Sequence, residues 1–272
     1  YAYSTSRPAD PAERKYMAED TGKDTADGVY SINEKFRAPR AADITEELRN
    51  TLNAEQYEAV TAPSGPLLVI AGAGTGKTTV LTNRIAYMAA SGTPPEAILA
   101  LTFTNKAARE MKQRIAAILN PGGGGDCAVK ACTYHSFCVQ ELRKYSAEVG
   151  LGRNFTVIDQ GDAADAVNLM KETWGFGKDR TFPKGREIVN ILSECSNTGC
   201  TLSSCLEDGY PQYVQHTQGI AEIGERYADY KKERNLADYD DLLTLFLGLL
   251  RSHPDIKQYI SDTYREILVD EY

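Results

Sequence analysis

The stretch LLVIAGAGTGKTTVLTNRIAYM, residues 67–88, decides how this sequence is interpreted. Its first five residues, 67–71, are all apolar, and a short continuous apolar run predicts a buried parallel strand. A glycine-rich loop follows, and residues 78–90 have the apolar spacing of a helix. We therefore expect a strand, a tight loop and a helix in direct succession.

The loop AGAGTGKT, residues 71–78, has the pattern of a phosphate-binding loop, with Ala71 where the common form has glycine. Its glycines would let backbone N–H groups turn towards an anion, and the positive end of the following helix would add to that field. Lys77 would contact the β- and γ-phosphates, and the Thr78 hydroxyl would hold Mg²⁺. The alternative is a glycine-rich turn with a chance lysine. The residues expected to bind the nucleotide are Gly72, Ala73, Gly74, Thr75, Gly76, Lys77, Thr78 and Thr79.

A second apolar run, ILVDEY at residues 267–272, is predicted to be a buried strand with two acids at its carboxyl edge. Acids in that position can serve the metal ion and the water molecule of a nucleotide site. Asp270 would coordinate Mg²⁺ through water, and Glu271 would polarise the attacking water. The alternative is an ordinary solvated strand end. The catalytic candidates are therefore Lys77, Asp270 and Glu271, and the metal ligands are Thr78 and Asp270.

The composition of the chain is that of a globular protein without a membrane-spanning segment. Of the 272 residues, 42% are hydrophobic and 25% are charged, which is ordinary for a soluble globular chain. The net charge of −8 argues against a protein coated in nucleic acid but is compatible with a local basic patch. No apolar run approaches the roughly 20 residues that span a bilayer, and LLTLFLGLL at residues 242–250 is interpreted as a buried helix. No secretory signal is visible, so we expect a cytoplasmic protein, or a nuclear one in a eukaryote, that does not contact membranes.

Three of the six cysteines are evenly spaced, at Cys195, Cys200 and Cys205. A zinc or cluster site there would need a fourth ligand, for which His216 is the nearest candidate, and the sequence has no CxxC pair. We therefore expect reduced thiols at these positions in preference to a metal site.

The order of the predicted elements indicates an α/β domain with a parallel sheet. After the first strand and helix come a strand at residues 97–103, an amphipathic helix at residues 105–119 and a short strand ending near Thr133. Asn53 is expected to cap an earlier helix.

Four regions follow from these patterns. Residues 1–44 show no sustained period and are interpreted as a flexible extension. Residues 45–135 would form the first part of the α/β domain. Residues 136–235 have several helical patterns and few strand patterns, which predicts a mostly helical insertion. Residues 236–272 would return to the α/β domain and end at the two acids.

Six motifs occur in order along the chain: LNAEQYEAV, AGAGTGKT, LTFTNKAAREMKQR, TYHSF, DYDDLL and ILVDEY. Together they closely resemble the UvrD/Rep/PcrA group of superfamily 1 DNA helicases over residues 52–272, with the middle matched loosely. The resemblance implies a RecA-like P-loop NTPase domain with a parallel sheet, interrupted by a mostly helical inserted subdomain called 1B. It also implies ATP and Mg²⁺ as cofactors, and ATP-driven movement along single-stranded DNA, 3′ to 5′, with separation of strands at a duplex junction.

The resemblance assigns further roles residue by residue. Gln56 matches a glutamine that reads the adenine edge, for which an amide is suited because it donates and accepts at once. The segment after the second strand matches motif Ia, and TYHSF matches a second element of the DNA track, where aromatic rings stack on bases and small polar groups meet phosphates. The residues expected to contact nucleic acid are Phe103, Thr104, Asn105, Lys106, Thr133, His135 and Phe137.

Several of these residues have a structural alternative. Lys106, Arg109 and Lys112 would also fit a solvated helix face, which we prefer for the last two. His135 would also fit a purely structural role. The acids of DYDDLL, at Asp238, Asp240 and Asp241, could be mistaken for a metal cluster and are interpreted mainly as helix N-terminal acids.

The sequence departs from the resemblance in two respects. Thr79 stands where many relatives have an arginine that helps to hold the nucleotide. Both ends of the sequence look cut, and the second RecA-like domain, with arginines that can supply a factor of ~10³ or more in phosphoryl transfer, is missing from this chain. We expect this chain alone to bind ATP·Mg²⁺ weakly, to hydrolyse it slowly and not to unwind DNA.

Two other functions stay open at this point. One is a helicase–nuclease subunit of the AddA/RecB kind, whose nuclease domain this chain could not show. The other is a non-catalytic module that uses the nucleotide fold to dock a protein partner. The second would need a vestigial loop, and the intact Lys77, Thr78, Asp270 and Glu271 argue against it.

Overall fold

The computed structural model describes residues 41–120 and 127–271 of the chain. Its helices are α1 (Ala41–Thr51), α2 (Ala54–Thr61), α3 (Lys77–Ala90), α4 (Asn105–Leu119), α5 (Tyr134–Lys144), α6 (Gln160–Thr173), α7 (Gly185–Thr198), α8 (Leu202–Gly209), α9 (Thr217–Glu233), α10 (Tyr239–Ser252) and α11 (Pro254–Thr263). Its strands are β1 (Ile98–Thr102), β2 (Lys130–Thr133), β3 (Thr156–Val157), β4 (Leu236–Ala237) and β5 (Glu266–Val269).

A parallel sheet in the order β2–β1–β5 forms the base of the candidate site. The central strand β1 is buried along its whole length. Because the three strands run in the same direction, their carboxyl ends meet at one edge of the sheet, which is where α/β folds bind their ligands. Thr102, Thr133 and Asp270 mark that edge. The backbone N–H of Asp270 also donates to the Leu101 carbonyl oxygen at 2.9 Å, which fixes Asp270 against β1.

Helices α3 and α4 cover one face of this sheet. Ile85 on α3 and Met111 and Ile115 on α4 are buried against Ile98 and Ala100 of β1. The apolar stripe that predicted α4 is the surface that packs, and the helix has the predicted bounds. The α/β class with a parallel sheet is confirmed.

The Asn53 cap is also confirmed. Its side chain accepts the Gln56 N–H at 2.8 Å, and the Gln56 side chain accepts the Asn53 N–H at 3.2 Å, which forms a reciprocal capping box at the start of α2.

Helices α6 to α9 form a second core of their own. Val167, Ile188, Leu206, Ile220 and Ile223 are buried within it. The predicted insertion was placed at residues 136–235, but α5, at its start, packs on the sheet instead, where Phe137 joins the cluster of Leu99 and Leu101. The described helical core begins after α5, from Ile158 onwards.

The predicted strand at residues 67–71 is wrong, because the segment is neither a strand nor buried. Ile70 is 87% exposed and Leu68 is 69% exposed. Between this segment and β5 lies a cavity of about 780 Å³. A strand needs a hydrogen-bonded neighbour, and none of the described strands pairs with this segment. Its apolar side chains therefore remain on an open wall of the cavity.

The predicted buried strand at residues 267–272 is shorter and less buried than expected. β5 ends at Val269, before the acids, and Ile267 is 57% exposed because its side of β5 faces the same cavity. Tyr272 lies outside the described residues.

The other differences concern the start of the chain and α10. Residues 1–40 of the predicted extension lie outside the described residues, and α1 begins within its last four residues. The run at residues 242–250 lies in α10, but only one side of that helix is buried, with Leu242 and Leu249 inside and Leu247 exposed. Within the described part of the chain, no helix has both the length and the apolar character needed to cross a bilayer.

A buried ion network fixes the point where the chain returns from the helical core to the sheet. The Asp238 side chain caps α10, where it accepts the Asp241 N–H at 2.9 Å, and the Asp241 carboxylate accepts the Asp238 N–H in return. The Lys231 ammonium lies 2.6 Å from both carboxylates, and the Tyr227 hydroxyl donates to Asp238 at 3.0 Å. The interpretation of these acids as helix N-terminal groups is confirmed, and Lys231 is the partner that the sequence did not reveal.

Candidate nucleotide-binding site

The loop of residues 71–76 leads directly into α3, and all of it except the half-buried Gly76 is exposed. Gly74 and Gly76 have φ values of 76° and 88°, in the left-handed region where an L side chain is strained. Gly76 caps α3 without any side-chain hydrogen bond, so the first N–H groups of the helix have no side-chain partner at the cap. Uncapped N–H groups at the positive end of a helix suit an anion such as phosphate.

Lys77 is the first residue of α3, and its side chain folds back over the loop. Its ammonium donates to the carbonyl oxygens of Ala71 at 3.0 Å and Gly72 at 2.7 Å. A second bond, from the Thr75 hydroxyl to the Gly72 carbonyl at 2.8 Å, braces the loop from within. A positive charge is therefore held over a set of flexible backbone groups, where it can exchange carbonyl oxygens for phosphate oxygens.

Thr78 and Asp270 meet although they lie 192 residues apart in sequence. The Thr78 hydroxyl donates to Asp270 Oδ2 at 3.3 Å. Asp270 is buried at the carboxyl edge of the sheet, whereas Thr78 is half-buried in the first turn of α3. A hydroxyl and a carboxylate oxygen side by side are the hard oxygen ligands that Mg²⁺ prefers, so this pair fits a magnesium ion at the end of the loop.

Glu271 follows Asp270 and lies on the wall of the cavity that Lys77 also lines. Its φ of 61° is in the left-handed region, which is uncommon for a residue other than glycine. Its side chain is exposed. Lys77, Asp270 and Glu271 therefore line one cavity, with Asp270 buried and Glu271 exposed.

Gln56 contacts the loop in this structure. Its amide nitrogen donates to the Thr75 carbonyl oxygen at 3.0 Å, while its amide oxygen is used in the capping box of α2. A Cβ atom on Gly76 would lie 3.1 Å from the same amide nitrogen, which shows how closely Gln56 approaches the loop. The structure thus links α2 to the candidate phosphate site through Gln56. Its assignment to the adenine edge stays a prediction.

Arg84 is a supporting residue that the sequence did not indicate. It is buried on α3, and its guanidinium donates to the carbonyl oxygens of Ala59, Val60 and Ala62, at 3.0, 3.3 and 2.8 Å. A further bond reaches the Pro63 carbonyl at 3.2 Å. These are the free carbonyl groups at the end of α2, where a cation is favoured. Arg84 therefore holds the segment that leads towards the loop.

The segment predicted to contact nucleic acid after β1 is at the surface. Phe103 is 70% exposed at the carboxyl edge of the sheet. Thr104 caps α4 by accepting the Ala107 N–H, and Asn105 and Lys106 are exposed in its first turn. Lys106 lies 3.9 Å from Glu110, an ion pair between solvated groups. An exposed ring beside helix N–H groups is suited to a base and a phosphate.

The TYHSF residues are less accessible. Phe137 is buried and packs edge-on against Phe246 and Tyr264, so its ring is not available to stack on a base. Thr133 is buried as the cap of α5 and bonds to Ser136. His135 is half-buried, with its ring edge-on to Tyr239. Of these three candidates, Phe137 and Thr133 are buried and His135 is half-buried, so their assignment to DNA stays a prediction that the structure does not favour for Phe137.

These features define a class: an α/β nucleotide-binding protein with a P-loop at the start of a helix and an acid at the end of a parallel strand. The chain belongs to the UvrD/REP helicase N-terminal domain family, whose model matches residues 52–272.

Three relatives illustrate the match. The chain is 38% identical to the ATP-dependent DNA helicase PcrA of Bacillus subtilis (strain 168) over 84% of this chain and 30% of that protein. It is 35% identical to UvrD1 of Mycobacterium bovis (strain ATCC BAA-935 / AF2122/97) over 90% of this chain and 31% of that protein. It is 35% identical to PcrA of Staphylococcus aureus (strain Mu50 / ATCC 700699) over 83% of this chain and 30% of that protein. The chain thus spans less than a third of these relatives.

Proposed function

We propose that this chain is the nucleotide-binding part of an ATP-dependent DNA helicase that moves 3′ to 5′ along single-stranded DNA. The observation that carries the proposal is the contact between Thr78 on the loop helix and Asp270 on the strand, with Lys77 beside them. Relatives that carry the name ATP-dependent DNA helicase support this assignment. The intact loop and acids favour catalysis over a docking module, and no observation favours a nuclease subunit.

Each residue of the site has its own proposed role in binding and hydrolysing the nucleotide. The N–H groups at the start of α3 bind the phosphates, and Lys77 neutralises charge on the β- and γ-phosphates. Thr78 and Asp270 would hold Mg²⁺, which would supply positive charge against the phosphates. Glu271 orients a water molecule for attack on the γ-phosphate and accepts its proton. Gln56, fixed to the loop at Thr75, connects α2 to the state of the nucleotide.

The DNA strand would run along the carboxyl edge of the sheet, next to the nucleotide. Phe103 supplies a stacking surface, and the start of α4 supplies N–H groups for phosphates. A second RecA-like domain, supplied by the longer protein, would close on the nucleotide and move the strand with each cycle. The chain alone is expected to bind ATP·Mg²⁺ weakly and not to unwind DNA.

Replacing Lys77 with Ala should weaken binding of a fluorescent ATP analogue with Mg²⁺ by about tenfold, or ~1.4 kcal/mol. The ammonium is the cation held over the loop, and its loss leaves phosphate charge unbalanced. The matched control is Lys257→Ala, which removes an exposed lysine on α11, outside the nucleotide site. Equal affinities for wild type and Lys77→Ala would contradict the phosphate site.

Replacing Phe103 with Ala should weaken binding of a labelled single-stranded oligonucleotide by about 1–3 kcal/mol, or about 5- to 150-fold, because a stacked base loses its platform. Fluorescence anisotropy at fixed salt measures this. The control is Tyr259→Ala, which removes an aromatic ring that is 60% exposed on α11. That helix packs near the turn before β1, at the opposite end of the sheet. If both variants bind like wild type, the DNA track lies elsewhere.

A further inference from the structure

The three evenly spaced cysteines of the sequence converge in space. Cys195 lies in the last turn of α7, Cys200 follows the turn at Gly199, and Cys205 lies on α8. Gly199 has a φ of 70°, which lets the chain reverse between the two helices. The three sulfur atoms all lie within 4.8 Å of one another. Among the residues described, no other trio of histidine, cysteine or acidic side chains meets as closely.

The expectation of reduced thiols is contradicted, because Cys200 and Cys205 are bonded to each other. Cys195 remains a free, half-buried thiol beside that pair. The site therefore holds one free sulfur and a pair that can be opened by a two-electron reduction. Opening it with a phosphine or dithiol reductant adds two electrons and two protons, and gives three thiols in the same pocket.

The surroundings of Cys195 disfavour an unassisted thiolate. Burial, and then the negative charge of Glu194, raise the pKa of the Cys195 thiol. A protonated thiol is a poor nucleophile, so spontaneous exchange with the neighbouring pair is slow.

We propose that, in the reduced protein, Cys195, Cys200 and Cys205 bind one zinc ion through three thiolates. Tetrahedral zinc with bonds to sulfur of about 2.3 Å places its sulfur ligands about 3.8 Å apart, which the observed grouping accommodates with small side-chain movements. Binding releases three protons as three zinc–sulfur bonds form. The fourth position takes a water molecule, since Cys195 and Cys200 are only half-buried.

His216 does not complete the site. Its ring lies near Asp179, with 3.9 Å between Nδ1 and a carboxylate oxygen, and its Nε2 is 3.1 Å from the Thr181 hydroxyl. The sequence singled it out as the nearest candidate for a fourth ligand, and the structure places it outside the sulfur group. The zinc ion would instead join the end of α7 to α8, within the helical core that contains Leu206.

Cobalt titration tests the proposal. The purified chain is reduced with a phosphine, freed of metal with a chelator and titrated with Co²⁺, whose tetrahedral thiolate complexes absorb in the near ultraviolet and the visible. We expect one Co²⁺ per chain, displacement by Zn²⁺ with loss of colour, and a higher midpoint of thermal unfolding with zinc. Cys195→Ser should weaken binding by at least about tenfold. Cys132→Ser, which removes a half-buried thiol outside the group, should bind as wild type does.

The outcomes that overturn the proposal are specific. One is the absence of a stoichiometric cobalt band in the reduced wild type. Another is an unchanged band in Cys195→Ser, which would show that the third sulfur is not a ligand. A third is a Cys200–Cys205 bond that resists the reductant, since a stable disulfide would replace the metal site. Circular dichroism of Cys195→Ser, and the separate variant Cys200→Ser, ensure that a lost band reports a lost ligand in a folded chain.

Discussion

Replacing Lys231 with Met is expected to lower the free energy of unfolding by about 3–5 kcal/mol, which is the cost of leaving buried charges without their partner. The Lys231 ammonium lies 2.6 Å from carboxylate oxygens of both Asp238 and Asp241. Methionine keeps most of the aliphatic stem of Lys231 and removes the ammonium, which also lies 4.4 Å from the centre of the Tyr227 ring. The loss is large compared with a typical stability of 5–15 kcal/mol.

The matched control is Lys232→Met on the same helix, which removes an exposed positive charge and should change stability by less than about 0.5 kcal/mol. Urea denaturation followed by circular dichroism gives both values. If the free energy of unfolding of Lys231→Met fell by less than about 1 kcal/mol, water would be replacing the ammonium at little cost in stability. Adding Asp241→Asn to Lys231→Met should recover part of the deficit, because it removes one of the two stranded charges.

The loss of unfolding free energy in Lys231→Met should also depend on pH. Burial raises the pKa of Asp238, but the Lys231 ammonium and the hydrogen bonds from the Asp241 N–H and the Tyr227 hydroxyl together hold that pKa below its usual value. A lowered carboxyl pKa contributes stability above the unfolded-state pKa of about 3.9, and this stability is lost as pH falls. Asp241 acts in the opposite sense, since burial and the Asp238 charge raise its pKa. The part of the lost unfolding free energy that comes from Asp238 should therefore be largest near pH 7 and should shrink below about pH 4.

Replacing Asp270 with Asn is expected to slow ATP hydrolysis by about a hundredfold or more, because metal stabilisation of phosphate charge supplies several kcal/mol. The carboxylate of Asp270 is buried beside the Thr78 hydroxyl, and an amide keeps its shape but loses the charge that would hold Mg²⁺. Single-turnover hydrolysis of radiolabelled ATP detects even the slow reaction expected of this chain.

Glu266→Gln is the matched control for this measurement. Glu266 lies on β5 with Asp270, but its carboxylate is bonded to the Ser64 hydroxyl at 2.8 Å, away from Thr78. The control should hydrolyse ATP within about threefold of the wild-type rate. Wild-type turnover in Asp270→Asn, with Mg²⁺ still required, would show that another residue holds the metal ion.

The sequence predicted those parts of the fold that depend on neighbours along the chain. The stripe of Ala108, Met111 and Ile115 predicted α4 because its period is local, and Asn53 predicted a cap because its partner is three residues away. The segment at residues 67–71 shows the limit. Its composition suits a strand, but a strand exists only where another backbone supplies hydrogen bonds, and local composition does not show whether one is there.

In the candidate site, too, the features set by local sequence were predictable and those set by the assembled fold were not. The spacing of the glycines and Lys77 predicted the loop, and the pair of acids predicted its partner strand. In sequence, neither Arg84 at the site nor Lys231 in the helical core differs from an ordinary cation on a helix surface. The Arg84 guanidinium binds carbonyl groups 21 to 25 residues earlier in the chain. The Lys231 ammonium binds carboxylates at the start of α10. Burial, which gives these residues their importance, is a property of the assembled fold.

The open wall at residues 67–71 also affects how this chain behaves in concentrated solution. Exposed Leu68 and Ile70 adjoin backbone groups that lack a strand partner, and Ile267 lies exposed on the other side of the cavity. Exposed apolar side chains beside unpaired backbone groups can associate with similar surfaces of other molecules, as the edges of sheets do. The net charge of −8 keeps molecules apart at long range, but salt screens it over about 8 Å. Solubility of the purified chain should therefore be limited by this apolar wall, and added salt should favour association.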